Sequence, residues 1–348
     1  MKKIVKQVLG VDVAQNELVV CFGVMLEDWT PKIINREVFA NNTKGFQLLL
    51  KWVNKQAGVD VKTNFVMEAT GVYHESFAYF LNEHQQMISI ILPNKISNYV
   101  RSLSTKTVTD KTAAEAIMMF GLERKLENWE PPKGIYKSLQ QLTRERSQLI
   151  EERTMLKNRR HAELAGAKPN KKSVERVQKR ISLLLKQEKE IEKELKLLIK
   201  EDKEVKAIVL LICSIPGIAD LTAATILGET NGFELIKNKR QLASYAGFDV
   251  IEKQSGTSVK AKTKISKRGN RHLRKAMYFP AIAAIRCNPK SKDIYERLFS
   301  KNGIKMKGGV AVQRRLLEMA YTVFKTKTRF DKNYEAKKLQ KEDVKNAA

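Results

Sequence analysis

Residues 8–13, Val-Leu-Gly-Val-Asp-Val, form a short apolar run that contains one carboxylate, Asp12. A second apolar run, residues 18–22, follows closely, so the two runs predict a β-hairpin. Residues 64–68, Asn-Phe-Val-Met-Glu, and residues 88–92 predict two further buried strands. Strands of this kind, separated by helical patterns, indicate an α/β sheet domain.

The helical patterns lie between and after these strands. The first begins after a predicted cap at Asn42, and the second runs from about residue 73 to 84. A last helix is predicted over residues 110–122, before the Pro131-Pro132 pair interrupts the pattern. We therefore assign the α/β domain to residues 1–130.

Charge is distributed unevenly along the chain. Residues 1–130 contain 15 Lys and Arg against 14 Asp and Glu, a net charge of +1, whereas residues 131–348 contain 50 against 24, a net charge of +26. Such asymmetry is typical of a protein whose cationic part binds a polyanion. A basic surface that only maintains solubility is the alternative, and the pattern favours nucleic acid as the partner.

Several other classes are not supported by the composition. The three cysteines and four histidines show neither CxxC pairing nor metal-ligand spacing, which predicts no disulfide framework and no zinc site. No run of about 18 apolar residues predicts a membrane span. Asp12 and Glu17 interrupt what would be the apolar part of a signal peptide. We therefore expect a cytoplasmic protein without a membrane partner.

The middle of the chain has the periodicity of long helices. Apolar residues recur at three- and four-residue steps over residues 135–164, without glycine or proline, and again over residues 174–205. Gly166 and Pro169 separate the two runs. The pattern predicts a long antiparallel helical coiled coil, which we assign as a connector to residues 131–206.

Three arginines in the first of these helices have two interpretations. Arg146, Arg153 and Arg160 recur every seven residues, where apolar seam residues would be expected. They could flank a partner helix with solvated guanidinium groups, or form a cationic stripe along a nucleic-acid backbone. The spacing does not distinguish the two.

The rest of the chain is predicted to be a third, mainly α-helical domain, residues 207–330. The segment from Cys213 to Ile218, with the helical pattern after it, is similar to a helix–hairpin–helix element. In such an element the turn around Gly217 offers backbone N–H groups to a DNA phosphate. Residues 331–348 are polar and mixed in charge, which predicts a flexible tail.

Three carboxylates occupy positions typical of a metal-dependent nuclease. Asp12 lies inside an apolar strand, Glu68 closes another strand, and Asp110 begins the last helix of the α/β domain. Each acid alone is more often a surface or capping residue. A buried carboxylate, however, needs a partner, often a cation. Acids in this order are arranged as in ribonuclease-H-like nucleases, where two metal ions hold the oxygens of a phosphodiester.

A serine and a basic run form the second candidate site. Ser255 lies in the turn Gln-Ser-Gly-Thr-Ser, residues 254–258. It can attack phosphorus where cations stabilise the developing charge, although such a turn is usually only a loop. Residues 253–275 contain nine Lys and Arg and no acid, which indicates phosphate contact. The predicted nucleic-acid-binding residues are Lys260, Lys262, Lys264, Lys267, Arg268, Arg271, Arg274, Lys275 and Gly217.

Several motifs occur in the order found in the DEDD transposases of bacterial insertion sequences. They are Gly10-Val11-Asp12-Val13-Ala14, Phe39-Ala40-Asn41-Asn42-Thr43-Lys44-Gly45, Met67-Glu68-Ala69-Thr70-Gly71-Val72-Tyr73, Ser214-Ile215-Pro216-Gly217-Ile218, Ala243-Ser244-Tyr245-Ala246-Gly247, Gln254-Ser255-Gly256 and Ile265-Ser266-Lys267-Arg268-Gly269-Asn270. The chain resembles this family from about residue 7 to residue 331.

The resemblance implies a RuvC-like, ribonuclease-H-like N-terminal domain, a coiled-coil connector and a C-terminal transposase domain with a nucleophilic serine. Members are recombinases guided by a structured bridge RNA that pairs with target and donor DNA. By this resemblance Asp12, Glu68 and Asp110 bind Mg²⁺, as two ions, and Ser255 forms a phosphoserine link to DNA. We further expect a nucleoid-associated homo-oligomer, a dimer or tetramer, in which the coiled coil brings the metal site of one protomer toward the serine of another.

The sequence departs from the family at one acid. The fourth family acid normally lies three residues after the third, a position that is Ala113 here. Glu115, at i+5 from Asp110, lies about 140° away around a helix and would be a poor substitute unless the helix starts late. Two alternatives to a recombinase therefore stay open. One is a hydrolytic RuvC-like nuclease or junction resolvase with a structural Ser255, and the other is a non-catalytic nucleic-acid scaffold.

Overall fold

The computed structural model describes residues 3–58, 60–69, 71–103, 109–234, 236–252, 254–255, 259–260 and 263–331. At residues 94, 254, 255, 259, 260 and 302 it describes the backbone alone. The predicted phosphate ligand Lys262 and the predicted tail after residue 331 lie outside the described residues. The chain forms two compact units, residues 1–131 and 132–348.

A five-stranded sheet forms the centre of the first unit. Its strands are β1 (Ile4–Val13), β2 (Glu17–Leu26), β3 (Pro31–Ala40), β4 (Thr63–Glu68) and β5 (Met87–Ile91), in the spatial order β3-β2-β1-β4-β5. β1, β2 and β3 pair antiparallel, whereas β4 and β5 run parallel to β1. This order with these directions is the ribonuclease-H-like arrangement, so the fold predicted for this unit is confirmed.

Helices cover both faces of the sheet. They are α1 (Thr43–Gln56), α2 (Glu75–Glu83), α3 (Pro93–Ser102) and α4 (Asp110–Glu123). Because side chains alternate along a strand, Leu9 packs with Phe46 of α1 and Phe77 of α2, whereas Val8 packs with Ile117 of α4 on the opposite face. Both faces of the sheet are therefore buried against helices.

Two elements of this unit were not predicted. Strand β3 is mostly exposed because it lies at the edge of the sheet, so its sequence lacks the alternation that marks a half-buried strand. Pro93 ends the strand before it, as expected, but it also begins α3. Proline fits the first helical turn, where its missing N–H group has no intrahelical partner.

The second unit is mainly helical, as predicted. Its helices are α5 (Gly134–Ala165), α6 (Lys171–Glu201), α7 (Lys203–Cys213), α8 (Asp220–Thr230), α9 (Lys239–Ala246), α10 (Arg271–Ala276), α11 (Tyr278–Cys287), α12 (Pro289–Asn302) and α13 (Lys305–Thr326). Four unpredicted two-residue strands lie between α9 and α10: β6 (Val250–Ile251), β7 (Gln254–Ser255), β8 (Val259–Lys260) and β9 (Lys264–Ile265).

The two longest helices, α5 and α6, pack against each other. Arg146 of α5 pairs with Glu192 of α6 at 2.7 Å, and Arg153 pairs with Glu188. The residue numbers fall in α6 as they rise in α5, so the helices are antiparallel. These ion pairs favour the partner-helix interpretation for Arg146 and Arg153, but with paired instead of solvated guanidinium groups.

The start of α5 belongs to the core of the second unit. Tyr136 and Leu139 are buried in the same apolar cluster as Ile212 of α7 and Leu227 of α8. The first turns of α5 are therefore part of this core. The connector predicted over residues 131–206 thus shares these turns with the predicted C-terminal domain.

Candidate functional site

The predicted acids of the first unit lie at one end of the sheet. Val11 of β1 stands opposite Met67 of the parallel strand β4, so Asp12 and Glu68 follow as neighbours on adjacent strands. Both lie on the face that α4 covers, because Val8 and Val66, at even-numbered steps before them, pack against α4. Neighbouring strands are about 4.8 Å apart, which brings the two carboxylates together.

Helix α4 brings Asp110 to the same place because it packs tightly on β1. A Cβ atom built on Gly10 would lie 2.4 Å from the backbone oxygen of Ala114 and 2.4 Å from the backbone nitrogen of Met118. Only glycine allows this approach. Asp110 lies one helical turn before Ala114 and Asp12 two residues after Gly10, so their side chains converge.

Lys6 fixes the other end of α4. Its Nζ donates hydrogen bonds to the carbonyl oxygens of Gly121, Leu122 and Arg124, the last at 2.6 Å. An ammonium group at a helix C-terminus satisfies carbonyls that have no intrahelical partner and interacts favourably with the helix dipole. Lys6 thereby sets where α4 lies along β1, and with it the place of Asp110.

The carboxylates repel each other. Burial raises the pKa of Asp12 above its usual range, and the nearby charge of Asp110 raises it further. Burial also raises the pKa of Glu68, with a further contribution from Asp12. In the described part of the chain, none of the three acids forms an ion pair with a cationic side chain. The cluster is therefore short of positive charge.

The position of the fourth family acid offers no carboxylate. Thr109 caps α4, and its side chain accepts a hydrogen bond from the N–H of Thr112, so the helix begins at Asp110 and does not start late. Glu115 points elsewhere and accepts a hydrogen bond of 2.6 Å from Nε of Arg36. Ala113 thus has no substitute in Glu115.

The donor groups present are those that a hard divalent cation prefers, since all three are carboxylates. Among the described residues, no group of three or more acidic, histidine or cysteine side chains is close enough to hold a metal ion together. Asp12 therefore lies near both Asp110 and Glu68, but the three acids do not together form a closed ligand set.

Asn41 is a site residue to which the sequence analysis gave no separate role. Its Nδ2 donates to the carbonyl oxygens of Ala14, at 2.8 Å, and Tyr73, at 3.2 Å. Ala14 closely follows Asp12, and Tyr73 lies in the segment after Glu68. Asn41 therefore links the two chain segments that leave the acidic end of the sheet. The sequence signal that could have identified Asn41 is its position in the family motif at residues 39–45.

In the second unit, Ser255 lies near the end of a β-hairpin arm. β6 pairs with β9, and β7 pairs with β8, with Ser255 opposite Val259. Three residues separate the two. The pairing with β8 holds the backbone at Ser255 in an extended conformation.

The base of this arm is tied together by backbone hydrogen bonds. Ser266 N donates to Asp249 O at 2.8 Å, and Asn270 N donates to Tyr245 O at 2.7 Å. The side chain of Ser266 also donates to the carboxylate of Asp249. These contacts fix where the chain leaves α9 and where it returns to α10.

A buried charge network supports the same base. Glu229 of α8, whose side chain is fully buried, accepts two hydrogen bonds from Arg144, at 2.7 and 2.8 Å, and one of 2.6 Å from Asn270. Burial alone would raise the pKa of Glu229, but the hydrogen bonds from Arg144 and Asn270 outweigh it and lower the pKa. The network joins α5, α8 and the start of α10.

The predicted phosphate ligands fall into two groups. Lys264, Lys267, Arg268 and Arg271 are exposed. In contrast, the Arg274 guanidinium donates to the carbonyl oxygens of Ala246 and Gly269, and Lys275 donates to Ser147 and Glu151. For Lys260 only the backbone is described. Arg274 and Lys275 thus already have partners within the unit.

Gly217 has a structural reason to be glycine. Its φ is +95°, and a Cβ atom there would lie 2.6 Å from the carbonyl oxygen of Pro280 in α11. The turn between α7 and α8 is therefore packed against another helix. Its predicted contact with a DNA phosphate stays a prediction.

A ribonuclease-H-like sheet with converging carboxylates, joined in one chain to a strongly cationic helical unit, defines a class of enzymes that act on nucleic acid. Family comparison specifies the class further. The model described as "Transposase", of the DEDD IS110 type, matches residues 9–169, and the model described as "Transposase IS116/IS110/IS902 family" matches residues 209–296. The chain belongs to this family of insertion-sequence transposases.

Relatives of similar length support the assignment. The chain is 26% identical to the pilin gene-inverting protein of Moraxella bovis, with 94% of this chain and 98% of the relative covered. It is 27% identical to the protein of that name in Moraxella lacunata, with the same coverage. An uncharacterized 43.6 kDa protein of insertion element IS110 from Streptomyces coelicolor is 34% identical over 87 residues, 25% of this chain and 21% of the relative.

Solved structures show only a weak overall likeness. The structure described as "T. thermophilus RuvC in complex with Holliday junction substrate" is 9% identical to this chain, with a TM-score of 0.27. The alignment covers 35% of this chain and 99% of the RuvC chain. The yeast mitochondrial Holliday junction resolvase Ydc2 is 14% identical and covers 35% of this chain and 81% of its own, with the same score. The ribonuclease-H-like character of the first unit rests on its strand order and strand directions. In the described part of the chain, no helix has both the length and the apolar character needed to cross a membrane.

Proposed function

We propose that this transposase is an RNA-guided DNA recombinase that cuts and rejoins strands through a phosphoserine intermediate. The convergence of Asp12, Glu68 and Asp110 without a cationic partner is the observation on which the proposal chiefly rests. Membership of the transposase family and the placement of Ser255 on a supported hairpin arm add to it. The guide RNA, a structured transcript of the element itself, comes from the family resemblance.

The acidic site fits Mg²⁺ by its chemistry. Asp12, Glu68 and Asp110 would hold the metal, as two ions, because hard cations prefer carboxylate oxygens. When bound, the metal supplies positive charge that stabilises a phosphoryl transition state. Repulsion between the carboxylates contributes to the raised pKa values of Asp12 and Glu68. A bound cation would relieve that repulsion, and this relief favours cation binding. Ala113 leaves this set one acid short.

Ser255 would act as the nucleophile. Its hydroxyl oxygen attacks a DNA phosphorus atom, the O–P bond to serine forms, and the P–O bond to the departing strand breaks. The serine proton passes to solvent, and the departing oxygen takes up a proton. Attack of another strand end on the phosphoserine reverses the exchange and joins new strands.

The cationic unit would hold the nucleic acids. The exposed side chains Lys264, Lys267, Arg268 and Arg271 lie along the chain from β9 of the hairpin arm to the first residue of α10, where they can neutralise phosphates. Lys260, Lys262, Arg274, Lys275 and the turn at Gly217 complete the proposed contact set. The α5–α6 pair, as a coiled coil, would join protomers of a dimer or tetramer, so that the acids of one serve the serine of another at the nucleoid.

A denaturing gel tests the proposal. The full chain is incubated with Mg²⁺, the RNA of its element and labelled DNA ends, and the expected product is a covalent protein–DNA band. The band should disappear in Ser255→Ala and persist in Ser258→Ala, a neighbouring serine of the same turn. Nucleic-acid binding should remain in both variants.

The other outcomes identify the alternatives. Cleaved DNA without a covalent band would contradict the phosphoserine step and favour a hydrolytic nuclease or junction resolvase. Tight, salt-sensitive binding without turnover would favour a non-catalytic scaffold, with Ala113 as the physical reason.

A further inference from the structure

The second unit contains a cavity that the proposed chemistry does not use. It has a volume of about 270 Å³ and lies between α11, α12 and α13. Its wall is aromatic and aliphatic, with Tyr278 and Ile282 from α11, Tyr295 from α12 and Met306 from α13. A cavity of about 150 Å³ holds a benzene ring, so this one has room for a larger planar ring system.

One polar side chain lies in this apolar wall. Gln313 lines the cavity and is only 5% exposed. Within the described residues its amide makes no hydrogen bond. Gln313 is not among the described residues whose side-chain N or O atoms are both buried and without a partner, so its amide is open to the cavity. Gln313 therefore presents a donor and an acceptor to whatever enters the cavity.

Two adjacent glycines in α13 shape the opening. A Cβ atom on Gly308 would lie 2.8 Å from the ring of Tyr295, so Gly308 allows α12 and α13 to approach. A Cβ atom on Gly309 would have no heavy atom within 4 Å, and Gly309 lines the cavity. Glycine inside a helix costs about 1 kcal/mol relative to alanine. Packing thus explains Gly308, whereas Gly309 leaves space open at the cavity.

The charge around the cavity has one sign. Arg286 and Lys305 line it, and no described lining residue is a carboxylate. The unit around it has a net charge of +26. An aromatic, uncharged ring attached to a negatively charged backbone is the ligand that matches this combination.

We propose that this cavity binds a single unpaired nucleobase of the nucleic acid on which the transposase acts, an inference that rests on the proposed function. The Gln313 amide would hydrogen-bond the polar edge of the base, as amide side chains do with adenine. Tyr278 and Tyr295 would stack on or against its ring. Arg286 and Lys305 would contact the flanking phosphates. Bases of DNA and of RNA both fit this chemistry, since both present the same edge and the same phosphates.

Fluorescence of 2-aminopurine tests the proposal directly. The probe is placed as a single-base bulge in a DNA duplex and, separately, in an RNA duplex, and each is titrated with the full chain in EDTA. We expect the bulged duplex to bind more tightly than the fully paired duplex and than a duplex with an abasic bulge, with a change in 2-aminopurine emission. Comparison of the two duplexes identifies the source of the base.

Two variants change the cavity without disturbing the fold. Gly309→Leu should fill it and abolish the preference for the bulged base, and Gln313→Leu should weaken bulge binding about tenfold. Neither variant should lower Tm. At residue 309 leucine favours a helix over glycine, and at residue 313 leucine replaces an amide that makes no hydrogen bond within the described residues. Gly134→Leu is the matched control, because Gly134 also has open space around its Cβ position but lies in α5.

Equal affinity of the wild-type chain for bulged, abasic and paired duplexes would overturn the proposal. Unchanged bulge binding in Gly309→Leu and Gln313→Leu would do the same. Because these titrations need neither metal nor strand cleavage, they separate this inference from the phosphoserine chemistry, whose failure would appear only in the covalent-band assay.

Discussion

The tight packing of α4 on β1 can be tested by adding one methyl group. Gly10→Ala places a Cβ atom 2.4 Å from the backbone of both Ala114 and Met118, where ordinary contact begins at 3.4 Å. Neither backbone atom can rotate away as a side chain could. The helix must therefore move by about 1 Å, and overpacking of this kind costs about 1–3 kcal/mol.

The same movement should affect the acidic site more than the fold. Asp110 lies on α4 and Asp12 on β1, so a shift of the helix changes the separation of the two carboxylates directly. A misplacement of about 1 Å in a catalytic arrangement can cost about 10²-fold in rate. We expect Gly10→Ala to lose DNA cleavage by about that factor while it remains folded.

Urea unfolding, followed by circular dichroism, measures the first effect, and Mg²⁺-dependent cleavage of labelled DNA measures the second. Gly58→Ala is the matched control in the same unit, since the nearest atom to its Cβ position, Nε2 of Gln7, is 3.6 Å away. Wild-type stability and cleavage in Gly10→Ala would refute the idea that contact between α4 and β1 at Gly10 positions Asp110.

Two further predictions concern one half-buried carboxylate, Asp12, and one buried carboxylate, Glu229. Asp12→Asn should raise Tm at neutral pH in EDTA, because a carboxyl whose folded-state pKa is raised loses stability as pH rises through that pKa. The gain should vanish below about pH 4, and an equal gain at every pH would show that charge is not the cause. Glu229→Gln should lower the free energy of unfolding by about 1–3 kcal/mol, because it removes charged hydrogen bonds from the half-exposed Arg144. An unchanged urea midpoint would contradict this role.

Much of the first unit was predictable because its signals are local. The apolar runs around Val11 and Phe65 become β1 and β4, and the strand positions of Asp12 and Glu68 place both acids where those strands end. Helix α4 begins at the predicted residue, Asp110. Side-chain alternation and helix caps are properties of neighbouring residues, so a single sequence records them.

The contacts that position these elements could not be predicted from the sequence. Strand β3 lacks a hydrophobic pattern because it lies at the sheet edge, and the short strands of the hairpin arm are only two residues long. Sequence spacing left the role of Arg153 open, since its partner Glu188 lies 35 residues away. Distant pairs of this kind become visible only when the helices are packed.

The sequence by itself determined the alternation of strands and helices, the three acids and their order, and the separation of a neutral unit from a cationic one. Each of these follows from residue type and short-range spacing. Only the tertiary structure decided that Lys6 and Gly10 hold α4 against β1. It likewise decided that Glu115 accepts a hydrogen bond from Arg36 and that Gln313 lines a cavity. These contacts join residues that are distant in sequence. They depend on how whole helices and strands pack, and no local sequence pattern encodes that packing.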